Sequence, residues 1–403
     1  MPTPDDLFAE AERQLSICNS CRYCEGYCAV FPALERRSVL ETGDITQLAS
    51  LCHDCRACFQ ACMYAPPHEF AVDPPAILTA VRLASYRRYL PPPGWLRPVW
   101  WAGGAGRVGG AGRGKHSVRA TAAIGVAAAL LVLVAATEGI GALLRHRGPY
   151  EVIPYPALLV VVALPTAWSA AVLLRALAAF WHDTHGPLRD LASGRTLATA
   201  MRRAASLEYL RGGGAECPYP GDHPSPARRR LHAAVAWGFA TCFAATVAAA
   251  FLQDVLGVAP PYPLLSVPVI LGTAGGISML AGCAGLMTLK RRSDSPPGAA
   301  DYGLILGLGL LALTGMLTLV FRDTPAYGLI LITHLATIVV CFAVAPYTGI
   351  VHAGFRFLAI VADVMEQVQQ VQQVQQVQQV QQAQQAQQAQ ADQAAVARDE
   401  SDV

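Results

Sequence analysis

The sequence predicts an all-α protein: a small helical domain built on two cysteine runs, followed by a six-helix transmembrane bundle. Three observations predict it. Residues 18–62 repeat one pattern, Cys18-x2-Cys21-x2-Cys24-x3-Cys28 and then Cys52-x2-Cys55-x2-Cys58-x3-Cys62, which takes eight of the twelve cysteines. The chain is 53% hydrophobic and only 14% charged, against about 25% charged in an ordinary soluble domain. The charge deficit lies in apolar stretches from residue 118 onward, several of them long enough to cross a bilayer.

Asp5 and Asp6 open a helix over residues 5–17, with Leu7, Phe8, Leu15 and Ile17 as its apolar positions. The first residues are acidic rather than apolar, so no secretory signal is read there and the N-terminus is expected in the cytoplasm. The helix leads into the first cysteine run. A two-residue gap lets a tight loop aim successive sulfurs at neighbouring irons, and the fourth, more distant cysteine reaches the other cluster. Two [4Fe–4S] clusters are expected: one on Cys18, Cys21, Cys24 and Cys62, the other on Cys52, Cys55, Cys58 and Cys28. Zinc would use two Cys-x2-Cys pairs and leave the remaining cysteines unexplained. A disulfide framework belongs to small secreted domains, not to a long apolar chain.

Residues 29–51 read as helical, with Leu34, Leu40, Ile45 and Leu48 for a small core. After Tyr64-Ala-Pro-Pro-His68-Glu-Phe, Pro74 and Pro75 start a helix over 74–90 with late arginines, and Pro91 to Pro93 stop it. Trp95, Trp100 and Trp101 beside arginines fit the interface belt of a bilayer. Six spans follow near 118–137, 155–180, 233–252, 264–289, 302–321 and 327–345. Loops on the side of the N-terminus hold 21 Lys and Arg against 3 opposite, so the positive-inside rule puts both termini in the cytoplasm. The expected division is residues 1–90 as the two-cluster domain, 91–117 as linker, 118–362 as the membrane domain and 363–403 as a tail. Valine recurs every three residues in the Gln-rich tail, which matches no helical stripe, and the tail reads as disordered or loosely helical.

Ionisable groups at membrane depth are functional candidates. His232 opens the third span, His352 follows the sixth, and His334 lies inside the sixth. A b-type haem needs two imidazoles facing each other from different helices. His232 and His352 share a depth near the cytoplasmic face, so they are the expected axial pair, with His334 as the alternative partner. His182 and His185 are read as interfacial, at most lining a quinone site. His53, His68, His116, His146 and His223 fall in loops and are read as surface residues. Cys217, Cys242, Cys283 and Cys341 are assigned no chemistry. Net charge is +2, so charge balance gives no case for nucleic acid. The glycine-rich stretches lack the strand–helix context of a phosphate cradle.

Several motifs together resemble the tricarballylate-utilisation B (CitB) family. They are the paired cysteine runs, Tyr64-Ala-Pro-Pro-His68-Glu-Phe, Arg229-Arg230-Leu231-His232 with Trp237-Gly238-Phe239, Pro261-Tyr262-Pro263-Leu264, and Pro346-Tyr347 with Val351-His352-Ala-Gly-Phe355-Arg356-Phe357. The resemblance implies a cytoplasmic-membrane iron–sulfur and haem protein. Such a protein reoxidises the FAD of a partner tricarballylate dehydrogenase flavoprotein and passes the electrons to quinone. Family members often carry a further histidine near the end of the third span, where this chain reads Ala250-Phe251-Leu252-Gln253, so one haem b is expected. A heterodisulfide-reductase-like redox subunit and a redox-sensing tricarboxylate transporter are the alternative readings.

Overall fold

Helix α1 (Pro4–Cys21) begins the chain in this computed structural model, which describes residues 4–91, 148–185, 194–214, 216, 223, 225–292 and 299–401. The helix runs past its expected end so that Cys18 and Cys21, three residues apart, share one face of its last turn. Residues 29–51 split into α2 (Val30–Glu35) and α3 (Thr42–Leu51) rather than forming one helix. The break has two causes. Asp44 and Glu41 close a capping box that starts α3, and Arg36 and Arg37 in the gap turn inward to carboxylates. The short α4 (Ala57–Gln60) carries Cys58. Helix α5 (Pro74–Tyr89) has proline at its first turn and Asp73 as N-cap, accepting from the Ala76 amide at 3.0 Å.

Five helices among the described residues are long and apolar enough to cross a membrane. They are α6 (Tyr155–His185), α8 (Ala227–Asp254), α9 (Val267–Arg291), α10 (Ala299–Val320, apolar from Tyr302) and α11 (Tyr327–Val344). The amphipathic α7 (Gly194–Ala205) lies between the first two. The span expected at 118–137 and the linker tryptophans lie outside the described residues. Leu164, Leu174, Phe243, Val247 and Ile277 are exposed on the outer faces, the arrangement lipid requires. Small residues bring α8 and α9 into backbone contact: a Cβ at Gly275 would stand 2.7 Å from the Gly238 carbonyl oxygen, and one at Gly282 would stand 2.8 Å from that of Leu231.

Helix α12 (His352–Ser401) departs most from expectation. The Gln-rich tail continues it as one helix to Ser401. Phe355, Ala359, Val361 and Ala362 are fully buried near its start, which removes the cost of nucleation. From there Gln and Ala are good helix formers, and no Gly or Pro follows Gly354. The valines at 368–380 are exposed, because a three-residue repeat winds around the helix.

The cysteine-domain core is larger than the sequence promises, because the rest of the chain completes it. Leu15, Leu34, Ile45, Leu48, Leu78 and Val81 pack in one cluster with Trp181 of α6, Ala200 of α7 and Val361 of α12. A polar clamp closes the same junction. Glu366 accepts from Arg37 at 2.6 Å, from Gln47 at 3.0 Å and from Arg36 at 3.2 Å. Asp363 pairs with Arg36 and accepts from the Tyr209 hydroxyl at 2.6 Å. Burial alone would raise the Glu366 pKa, but hydrogen bonds from His185, Gln47 and Arg37 and the Arg37 charge hold it down at about 2. Its folded pKa lies below the unfolded 4.5. Its contribution is therefore fully present above about pH 4.5 and is lost as pH falls toward 2. Glu366→Gln is expected to weaken docking by about 3 kcal/mol, read as faster hydrogen exchange across residues 33–47 at neutral pH. Unchanged protection there would remove Glu366 from the clamp.

Candidate functional site

Two cavities lie in the cysteine domain. Cys18, Cys21, Cys24 and Cys62 line the first, with Tyr23, Phe31, Met63 and Tyr64. Cys28, Cys52, Cys55 and Cys58 line the second, with His53, Arg56, Tyr209 and Arg228. The last cysteine of each run thus stands with the first three of the other. Local backbone makes this possible. Arg22, Asp54 and Arg56 take left-handed φ values of 56°, 49° and 60°, a region that glycine enters freely and other residues rarely. These reversals fold three of the four short gaps back, and the last turn of α1 spans the fourth, so that successive thiols face one space. Such conformations cluster where a site holds them in place.

Burial, then the neighbouring Cys62, Cys24 and Cys21 thiols, push Cys18 up to about 12. Burial with Cys62 and Cys21 raises Cys24 to about 11. In the second cavity burial with neighbouring thiols raises Cys28 and Cys58 further. A bound cation reverses this logic, since a coordinating thiol is deprotonated outright. Among the described residues no three His, Cys, Asp or Glu side chains converge closely enough for a single metal ion.

The cavities differ in their surroundings. Residues 17–72 alone line the first, and Tyr23 and Met63 at its mouth are exposed. The second is closed by the membrane domain. Arg82 of α5 donates to the Cys52 carbonyl at 2.6 Å and the Ala49 carbonyl at 3.2 Å. Arg228 of α8 donates to the carbonyls of His53 at 3.1 Å and Asp54 at 3.2 Å. Arg356 of α12 donates to the Cys52 carbonyl at 2.7 Å and to His53 Nδ1. At Cys52 burial raises the thiol pKa, while Arg82 and Arg356 pull it down.

Each of two of these arginines stands one helical turn from a histidine: Arg228 from His232 on α8, and Arg356 from His352 on α12. The His232 and His352 rings face each other with centroids 6.1 Å apart and planes at 87°. That separation leaves room for one metal between two imidazoles with N–metal bonds of about 2 Å. His352 Nδ1 is 2.5 Å from the Gly349 carbonyl oxygen. A carbonyl only accepts, so Nδ1 carries the proton and Nε2 keeps its lone pair, the arrangement of a metal-binding histidine. His232 Nδ1 is buried and has no partner among the described residues. The pair fits two axial ligands of a haem.

His334 stands elsewhere. Its Nδ1 is 2.9 Å from the Thr314 hydroxyl, and its ring lies against Gly315 of α10. His185, read as interfacial, stacks on Trp181 with centroids 4.7 Å apart and donates to Gln47 at 2.9 Å inside the docking clamp. His53, expected at the surface, lines the second cavity. His116 and His146 lie outside the described residues. Sequence reasoning missed Arg82, Arg228, Arg356 and Tyr209. The signal was present for two of them, since Arg228–His232 and His352–Arg356 share a four-residue spacing.

The model of the citrate utilization protein B family matches residues 112–373, and the model of its Fer4-like domain matches residues 11–88. Citrate utilization protein B of Escherichia coli is 36% identical over 368 residues, covering 89% of this chain and 92% of that protein. No solved structure matches the chain.

Proposed function

The chain belongs to the citrate utilization protein B family, and from that premise we propose that it is a membrane electron-transfer protein serving a partner tricarballylate dehydrogenase. It accepts electrons from the partner's reduced FAD and delivers them to quinone through two [4Fe–4S] clusters and haem b. The Fer4-like match and the cysteine group at 18–62 point to iron–sulfur clusters. The crossed cavities support Cys18, Cys21, Cys24 and Cys62 for one and Cys28, Cys52, Cys55 and Cys58 for the other. His232 and His352 hold the haem in this reading. Clusters and haem of this kind exchange single electrons, with potentials tuned by burial, charge and hydrogen bonds.

The observation that carries the proposal is the bolting of the second cysteine loop to the histidine pair. Arg228 and Arg356 grip residues 52–54 and sit one turn from His232 and His352. The exposed first cavity then serves the flavoprotein, and the second serves the membrane. The cysteine domain packs on the span ends that carry the arginine excess, which supports the cytoplasmic membrane with both termini inside. Tyr89 meets Asp183 near one end of α6, while Val152 and Ile153 pack near the other against α11. The described chain thus leaves off at residue 91 and resumes at residue 148 near opposite ends of α6.

The test is anaerobic purification with iron, acid-labile sulfide and haem quantified, followed by addition of the reduced flavoprotein and a quinone analogue. Quinone bleaching at the expense of reduced flavin is the expected result. Protein without iron, sulfide or haem, or flavin that stays reduced, overturns the proposal.

A further inference from the structure

The two cysteine sites share one ligand type but not one charge environment. The first is lined, apart from its cysteines, by Ile17, Tyr23, Phe31, Met63, Tyr64 and Val72, none of them charged. Arg56 lines the second, and three further guanidiniums on three separate elements, α5, α8 and α12, all reach the Cys52–Asp54 loop. Their hydrogen bonds run to neutral acceptors: the carbonyls of Ala49, Cys52, His53 and Asp54, the Thr79 hydroxyl and the His53 imidazole. Arg356 Nε is buried and unpartnered among the described residues. A buried guanidinium held only by neutral groups is costly unless a negative charge lies nearby. The Asp54 carboxylate beside Cys52 offsets part of this charge, and Asp73, 3.8 Å away, faces Arg56.

We propose that Arg82, Arg228 and Arg356 make the second cysteine site the easier of the two to reduce, and thereby set the direction of electron flow from the exposed first site toward the membrane. This rests on the reading of both sites as [4Fe–4S] sites. In the internal transfer one electron leaves the reduced first site and one enters the second. No bond forms or breaks and no proton moves. The second site gains one negative charge beside the three fixed positive ones, while the first loses one in apolar surroundings. The arginines are positioning residues: they touch the loop that carries the ligands rather than any reacting atom. Their placement one turn from His232 and His352 puts the favoured site next to the exit.

The test is an EPR-monitored redox titration of the full-length protein in lipid nanodiscs, with Arg82→Gln, Arg228→Gln, Arg356→Gln and Arg356→Lys. A Cys21→Ser background isolates the second site. Each neutral variant is expected to disfavour reduction of that site at least tenfold, about 59 mV for one electron. The midpoint of the first site stays in place, and Arg356→Lys retains the wild-type value. Arg228→Gln decides if Arg356→Gln does not assemble, because Arg228 is only partly buried. An unmoved second midpoint in Arg228→Gln overturns the proposal, as does an equal shift at both sites, which would mark general loosening. A wild-type protein without two reducible iron–sulfur centres would instead sink the reading beneath it.

Discussion

Replacing Cys21 and Cys62 together by serine is expected to leave half of the iron and acid-labile sulfide bound, whereas replacing Cys21 and Cys28 together removes all of it. The first pair stands at one cavity. The second pair divides between the two. A within-run arrangement, with Cys28 joining Cys18, Cys21 and Cys24, predicts the reverse outcome. The double variants therefore separate the two arrangements where single variants cannot, since any single loss removes one centre under either. The effect is large because bound metal ties distant loops together, and its binding energy is part of the folding energy of such a domain. The crossed ligands make that coupling stronger. Cys28 and Cys62 each link the two runs, so losing either loosens both loops. Iron and sulfide analysis of anaerobically purified protein gives the answer.

His352→Ala is expected to abolish the low-spin haem absorption, and His232→Ala to do the same, while His334→Ala leaves the spectrum intact. Two axial imidazoles must meet from different helices, and the rings of His232 and His352 do so at 6.1 Å. The Gly349 carbonyl fixes the His352 tautomer; such outer partners commonly change affinity 10- to 100-fold when lost. His334 is occupied by Thr314 and packed on Gly315, the environment of a buried histidine joining two helices. A visible spectrum that survives His352→Ala but not His334→Ala would transfer the ligand role.

Much of this architecture was legible along the chain. The cysteine spacing carried the crossed grouping of thiols around the two cavities because a two-residue gap admits few loop geometries. Apolar length alone located the five described helices, although α8 starts at Ala227 rather than at 233 and α6 runs on to His185 rather than ending at 180. The His232–His352 pairing came from depth, a quantity that sequence gives directly once spans are placed. Other features were out of reach. The break at residues 36–41 depends on Asp363 and Glu366, more than 300 positions away. His53 was assigned to the surface because it falls in a loop between cysteines. It is Arg356 and Arg228 that enclose it. The tail misled because a three-residue repeat makes no stripe, yet its helix needs none once α12 is nucleated by buried residues.

Local rules therefore determined which segments are helical and apolar enough to cross a membrane, and which residues are expected to bind and which end is expected in the cytoplasm. Each depends on spacing, apolar length or charge count within a short window. Tertiary structure alone decided that the cysteine domain docks on the end of α12. It likewise decided that three arginines converge on one cysteine loop, and that two of them stand one turn from the histidine pair. Those outcomes arise from contacts between segments far apart in sequence, where no periodicity or composition records the partner.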